Sequence, residues 1–538
     1  MTAAVMPIDP AAPLQRSVDA SSAAPRHDFR VAIIGAGFGG VAAAVYLGKA
    51  GFHDVTIYER THGLGGVWHQ NTYPGAEVDT FSDWYSYRFK HFDWPKPHAA
   101  QAVLEAYINE TVDDYGLRER VEFGTSVIRA TWDETRHLYD VELSDGRTVQ
   151  FDVVISAVGL FNVPKYPEWP GLDTFAGPAF HASRYEHQHD FTGKRVAVVG
   201  AGSSGTQIVP ELAGKVGHLV VFQRDPNWIA PKGDKDYTPE ERARRQNPKV
   251  YRKARRGHWW AETKMLWQGR ILREGTKENT AARQGLEAHI ERILGDRPEL
   301  KAAVMPDHPF FAKRPVKADG FYEALRRDDV TFRRSAVVEV TSDGLIDSTG
   351  EHFPLDAIVM ATGYRVAEFL GEIEVVGESG LSIHDYWQQR GGAEAFLGMT
   401  VPGFPNFYMI YGPNTNMGQI VFNLETQARF IARTLRRMRR RRLTAVDTRQ
   451  GAHRRFNDWL QRTLARTVWP EANNYLKDET SGKLVVPFPL PMMYYWAMTH
   501  LFGGPGLKAL KRVVRENKRT ATPPQEASVP IREREAAE

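Results

Sequence analysis

A chain of 538 residues with 42% hydrophobic content is long for one domain and rich enough for two or three cores. Its net charge of +4 argues against a nucleic-acid binder. It has no cysteine, which excludes disulfides, thiolate metal sites, iron–sulfur clusters and cysteine nucleophiles, and fits a reducing cytoplasm.

In chain order, residues 1–28 are rich in Ala, Pro and Ser and lack the pattern of a secretory signal; they read as a disordered arm. An apolar strand from Arg30 then runs into Gly35, Gly37 and Gly40 and on into an alanine-rich helix. A second strand, "VTIYERT" (55–61), stops at Glu59. Residues 139–159 give a hairpin turning at Asp145-Gly146, then a buried strand ending at Gly159. From Arg195 the plan repeats with Gly200, Gly202 and Gly205, a strand stopping at Arg224, and a hairpin-plus-strand ending at Gly363.

A GxGxxG between a strand and a helix places backbone N–H groups against a pyrophosphate. Glu59 follows Gly35 by the same 24 residues that separate Arg224 from Gly200. Both therefore fall at the tip of a second strand, beside the adenosine ribose. A carboxylate there accepts from free ribose hydroxyls, and an arginine there attracts a 2′-phosphate. Glu59 thus points to a dinucleotide with a free ribose, and Arg224 to NADP(H).

The expected architecture is α/β, with two Rossmann-like dinucleotide-binding domains, the second inserted in the first. The first occupies 29–159 and 395–515, and the second 172–228 and 331–394. Between the two parts of the second lies a helical insert over 229–330, where Trp260, Lys264 and Trp267 stand at helical spacing and the apolar residues read as core. The run Arg436–Arg442 reads as a solvated basic helix end, and "HQH" at 187–189 as a surface loop, so no metal site is expected. The apolar stretch 484–498 is too short for a membrane span and holds three prolines, so no membrane partner is expected. Residues 516–538 read as a disordered tail.

Several segments carry a resemblance. "GGVWHQNTYPGAEVD" (65–79) resembles a motif of Baeyer–Villiger monooxygenases, with Gly65, Gly66, Trp68, Tyr73, Pro74, Gly75 and Asp79 at its fixed positions. "FAKRPVKADGFYEAL" (311–325) is similar to the family's Lys-Arg segment, and "GFPNFYMIYGP" (403–413) to its returning FAD strand. A further fingerprint keeps Phe175, Gly177 and His181 but has Tyr185 for tryptophan and Glu186 for Pro or Asp, nearer to N- and S-oxidising flavin monooxygenases. His181 reads as a structural hinge.

The resemblance implies FAD in the first domain and NADPH in the second. It also implies a C4a-peroxyflavin that inserts one oxygen atom of O2 beside a ketone carbonyl, giving an ester or lactone. In the role it implies, Arg314 stabilises the anionic oxygen, Asp79 positions Arg314, and Lys313 joins Arg224 at the 2′-phosphate. The implied cofactor-binding set adds Phe38, Gly66, Val67, Trp68, Tyr85, Val127, Ser203, Ser204 and Gln207 to the six glycines, Glu59, Asp79, Arg224 and Lys313. The partners expected are a small-molecule ketone and O2, for a cytoplasmic monomer or weak homo-oligomer. N- or S-oxidation, and electron transfer from NADPH through flavin to an acidic partner protein, are the alternatives.

Overall fold

The computed structural model describes residues 28–510, so the expected arm (apart from Asp28) and the expected tail lie outside the described residues. Strand β1 (Val31–Ile34) is buried along its whole length. It ends at Gly35, whose φ of +101° suits glycine, and where a Cβ would stand 2.9 Å from the Ala157 carbonyl oxygen. Helix α1 (Phe38–Lys49) follows, then β2 (Val55–Tyr58), parallel to β1. After α2 (Val67–Gln70) and α3 (Gln101–Asp114), β3 (Val121–Glu122) pairs with β2. An antiparallel meander follows: β4 (Val127–Asp133), β5 (Leu138–Leu143) and β6 (Thr148–Phe151), with the turn at Asp145-Gly146 as expected. Strand β7 (Val153–Ser156) then pairs with β1.

The second sheet repeats the first. It begins with β8 (Ala179–His181) and β9 (Arg195–Val199), and α4 (Ser203–Leu212) leads to β10 (His218–Phe222). Gly200 has φ +102°, matching Gly35. The chain leaves this sheet through β11 (Ile229–Ala230) into α5 (Pro239–Arg245), α6 (Pro248–Met265), α7 (Lys277–Leu294) and α8 (Pro298–Val304). It returns in β12 (Val316–Lys317), parallel to β11, and α9 (Phe321–Leu325). Strand β13 (Val330–Arg333), a second meander of β14 (Val337–Thr341), β15 (Gly344–Asp347) and β16 (His352–Pro354), and β17 (Ala357–Met360) complete this half, with sheet order β13-β10-β9-β17-β8.

Strand β18 (Glu374–Val376) falls in the span expected for the second domain, yet it pairs with β4 of the first meander. The chain is therefore already crossing back before α10 (Ile383–Gln388). Strand β19 (Phe407–Met409) then joins β7, giving the order β19-β7-β1-β2-β3. Helices α11 (Ile420–Arg441), α12 (Gln450–Leu464) and α13 (Met492–Leu501) follow, and the described chain ends in β21 (Leu507–Leu510), antiparallel to β20 (Ala445–Thr448) between α11 and α12. Among the described residues no helix is long and apolar enough to cross a membrane.

Two sequence expectations need correction. Trp260 and Trp267 are exposed rather than core; Leu266, Ile271 and Leu272 fill the interior in their place. The basic run is also more than a solvated end. Arg439 donates to the Ala50 and Gly51 carbonyls and lies 4.4 Å from the Phe52 ring, and Arg436 reaches Lys49. These arginines satisfy carbonyls that the end of α1 leaves open.

The first and third glycines of each turn fix how helix packs on strand. A Cβ on Gly205 would overlap the Gly200 carbonyl oxygen, a backbone atom that cannot swing aside. Gly205→Ala is expected to lower stability by about 1–3 kcal/mol, read as a depressed thermal midpoint; an unchanged midpoint would show that the turn tolerates the added carbon.

Candidate functional site

Both glycine turns deliver a helix start that the protein itself leaves uncapped. Helix α1 begins after Gly37 and α4 after Gly202, each with no side-chain cap and no acidic residue in its first turn. Elsewhere Thr238, Thr276 and Ser382 cap their helices with a side-chain oxygen. Open N–H groups at a glycine-lined helix start suit a phosphate. Gly37 and Gly66 approach so closely that a Cβ on Gly66 would stand 3.3 Å from the Gly37 Cα. Side chains are thus kept out of the space over α1, as a pyrophosphate there requires.

Glu59 is buried just beyond β2. One carboxylate oxygen accepts from the Ala36 N–H at 2.9 Å, and the other from the Thr61 N–H and hydroxyl. Two oxygens with about four acceptor sites retain capacity for ribose hydroxyls. Thr125 donates its N–H to the Glu59 carbonyl, which brings buried Val127 at the start of β4 close to the same corner.

Phe38 turns its ring into a cluster with Tyr85, Tyr87 and Tyr107, so this position has its backbone to offer a cofactor. Burial pushes the Tyr85 hydroxyl up to about 12, although the Trp68 indole N–H donates to it at 3.1 Å. The phenol is neutral at all working pH values.

Residues 65–79 form a strap from the first sheet to the second. Val67 and Trp68 open α2 at one end. In the middle, the Tyr73 hydroxyl donates to Gln207 Oε1 at 3.1 Å, and Gln207 Nε2 donates to the Glu77 carbonyl. Gly75, at φ +77°, lies against α4, where a Cβ would stand 2.7 Å from the Gln207 carbonyl oxygen. Ser203 and Ser204 occupy the adjacent first turn of α4. At the far end the Asp79 carboxylate accepts from Arg314 Nη2 at 2.7 Å.

Burial raises the Asp79 carboxyl, but Arg314, Lys317, Lys232 and the Thr80 hydroxyl outweigh it and hold it below the ordinary carboxylate value. In return Asp79 raises the already high Arg314 value against its burial. The pair is therefore ionised throughout the working range. Asn227 Nδ2 donates to the Arg314 carbonyl at 2.8 Å and holds that backbone in place. Its neighbour Lys313 points elsewhere, 3.4 Å from Asp225, which also stands 3.4 Å from Arg224. Lys313 and Arg224 thus gather at the tip of β10 around one carboxylate.

His181 is buried between the two halves of the second sheet's edge. Its Nδ1 accepts from the Ser183 N–H, which leaves Nε2–H to donate to the Gly363 carbonyl at 3.0 Å. Burial lowers its pKa against that carbonyl, so it is a neutral connector.

One residue near this cleft escaped the sequence reading. Glu262 on α6 accepts from the Trp84 indole at 3.2 Å, while its other oxygen is buried without a partner among the described residues. That oxygen presses on Gly418, where a Cβ would collide with it. Burial raises Glu262 to about 7, against the Trp84 hydrogen bond, the nearby Gln419 N–H and the Lys317 charge. A lone glutamate in an amphipathic helix reads as solvent-facing, so its sequence carried no signal. Asn227 and Asp225 were similarly hidden in "RDPNW", although their place right after Arg224 was a usable hint.

A family model described as pyridine nucleotide-disulphide oxidoreductase matches residues 29–250. A Baeyer–Villiger monooxygenase of Streptomyces coelicolor is 36% identical over 444 residues, covering 82% of this chain and 84% of that protein. The crystal structure of OTEMO in complex with FAD and NADP superposes with a TM-score of 0.81 at 26% identity, over 90% of this chain and 99% of the other. The closed structure of cyclohexanone monooxygenase gives 0.82 at 26% identity, over 90% and 100%.

Glu262 sets a pH dependence with a definite sign. The folded state holds its proton more tightly than the unfolded chain, so stability falls as pH rises from about 4.5 to about 7 and stays reduced above that. Glu262→Gln is expected to stabilise the protein at pH 8.5 by roughly 2–3 kcal/mol and to change little at pH 5. Thermal unfolding at the two pH values checks this; equal effects at both would show that the carboxyl titrates normally.

Proposed function

Since this chain belongs to the Baeyer–Villiger monooxygenase family, we propose that its site converts a ketone to an ester or lactone, using NADPH and O2 with FAD as the resident cofactor. The overall balance is ketone, O2, NADPH and one proton giving ester, water and NADP⁺. The absence of cysteine agrees with this reading, because the chain holds no dithiol for the flavin to reduce despite the disulphide-oxidoreductase family match. The ketone assignment draws on the substrate in the name of cyclohexanone monooxygenase.

When bound, FAD supplies acceptance of hydride from the nicotinamide and activation of dioxygen. The protein's own residues supply the rest. The open start of α1 and the Gly37–Gly66 gap take the FAD pyrophosphate, and Glu59 takes the ribose hydroxyls. The open start of α4, with Ser203 and Ser204, takes the NADP pyrophosphate, and Arg224 and Lys313 hold the 2′-phosphate. The strap joins the two folds that would hold the cofactors, with Trp68 tied to Tyr85 near one end and Tyr73 and Glu77 tied to Gln207 in its middle. Val127 and Phe38 shape the flavin side.

Arg314 is the catalytic residue in this reading. A guanidinium cannot lose its proton at working pH, so it faces the reacting oxygen as a permanent cation and stabilises the negative charge that develops there. Asp79 is the positioning residue: it fixes the guanidinium plane and shares its charge. The observation that carries the proposal is the 2.7 Å Arg314–Asp79 pair at the end of a strap that spans both dinucleotide folds.

Tyr185, which packs edge-on against Phe180, favours N- or S-oxidation as a second reading. A panel of ketones, sulfides and amines separates the two; sulfoxidation without any ketone turnover would replace the ketone assignment.

Arg314→Ala is expected to keep flavin reduction by NADPH in stopped-flow measurements while ketone oxygenation falls ~10²–10³-fold. Ester formation at a near-normal rate would remove Arg314 from its role. Arg224→Ala is expected to raise KM for NADPH about tenfold or more and to leave KM for NADH nearly unchanged, in line with loss of a charge-assisted phosphate contact.

A further inference from the structure

Three sequence features play no part in the oxygenation site: the tryptophan-rich end of α6, the apolar stretch running into α13, and the arginines of α11. The fold brings them to one face. The Trp267 ring, in the turn just past the end of α6, lies 6.5 Å from Tyr494 on α13. On the other side of α13, Arg433 donates to the His500 ring and Arg437 to the Gly504 carbonyl just beyond the helix.

The apolar part of this face is bare. Among the described residues Trp267 is 42% exposed, Trp496 43%, Leu501 65% and Phe502 60%, and Tyr494 is exposed as well. Soluble monomers rarely leave so many large apolar side chains together in water, and such a patch marks an interaction surface. The rim is basic. Among the described residues Arg433 and Arg437 bond to the His500 ring and the Gly504 carbonyl and to no carboxylate, and Arg440 and Arg441 are exposed at the end of α11.

We propose that α13, the end of α6 and the arginine face of α11 form a surface that seats the enzyme on an anionic lipid bilayer. An apolar helix face enters the headgroup boundary, tryptophans lie at the water interface, and arginines meet lipid phosphates. Such a protein rests on the membrane and does not span it, which agrees with the lack of any spanning helix among the described residues. It departs from the expectation that no membrane is involved, because that expectation weighed only spanning segments. A second copy of the chain is the poorer occupant: a two-fold contact through this face would set like-charged arginine rims against each other.

The test uses the full-length enzyme, sedimented with vesicles of phosphatidylcholine alone or mixed with phosphatidylglycerol. The enzyme is expected to pellet with the anionic vesicles, less so as salt is raised. The Trp496→Ser, Leu501→Ser, Phe502→Ser triple variant is expected to lose at least about tenfold in vesicle affinity while turning over a water-soluble ketone normally. Arg437→Glu with Arg441→Glu is expected to abolish the preference for anionic lipid. Wild type remaining in the supernatant with both vesicle types would overturn the proposal. So would a concentration-dependent dimer that the triple variant abolishes and that binds no vesicles, which would assign the face to a second copy. Equal binding of the triple variant and wild type would overturn the assignment to α13.

Discussion

A single ion pair ties the molecule together at its working point. Asp79 and Arg314 are 235 residues apart in sequence and 2.7 Å apart in space. One ends the strap that leaves the first dinucleotide fold, and the other ends the segment that returns from the helical insert. Two charges drawn into a cleft repay their desolvation only when the geometry is good and each partner stays ionised. Here Lys317, Lys232 and the Thr80 hydroxyl keep the carboxylate charged, and Asn227 fixes the arginine backbone. The strap, the insert and both nucleotide folds must each be in place for the pair to form.

Around that pair the protein runs one plan twice and then makes the copies differ. The first glycines of the two turns agree to within about a degree in φ, and both turns present an uncapped helix start. The copies differ at the second strand tips. Glu59 is buried and held by three hydrogen bonds, whereas Arg224 is exposed and shares Asp225 with Lys313. A rigid carboxylate suits a cofactor that stays bound. A solvent-facing arginine suits one that comes and goes.

Much of this was legible in the sequence because the relevant constraints are local. A glycine at positive φ followed by a helix is a statement about a few neighbouring residues, and the spacing to Glu59 or Arg224 is a count along one βαβ unit. The 65–79 motif was legible for a different reason: several of its fixed residues, Tyr73, Gly75 and Asp79 among them, meet a distant partner, so its pattern is the imprint of several contacts at once. What stayed hidden depends on partners with no such imprint. Glu262 looks like any glutamate on an amphipathic helix until Trp84 and Gly418 close over it. The tryptophans of α6 looked like core because spacing reports which residues share a face but not whether that face is covered. Arg439 looked solvated because nothing local announces that the end of α1 needs its guanidinium. Strand β18 crossed a boundary drawn from periodicity because strand pairing is decided across the fold.

The helical insert leaves through β11 and comes back through β12, and these two short strands lie side by side. The residues just outside this narrow neck are Asn227 on one side and Arg314 on the other, joined by their own hydrogen bond. Beyond the neck the insert does not swing free: Arg255 on α6 donates to the Asp83 carbonyl and to the Ser86 hydroxyl and carbonyl, and Arg242 on α5 pairs with Asp93. The segment that carries Arg314 is therefore held from two directions, by the neck on one side and by the seat of the insert on the first dinucleotide fold on the other.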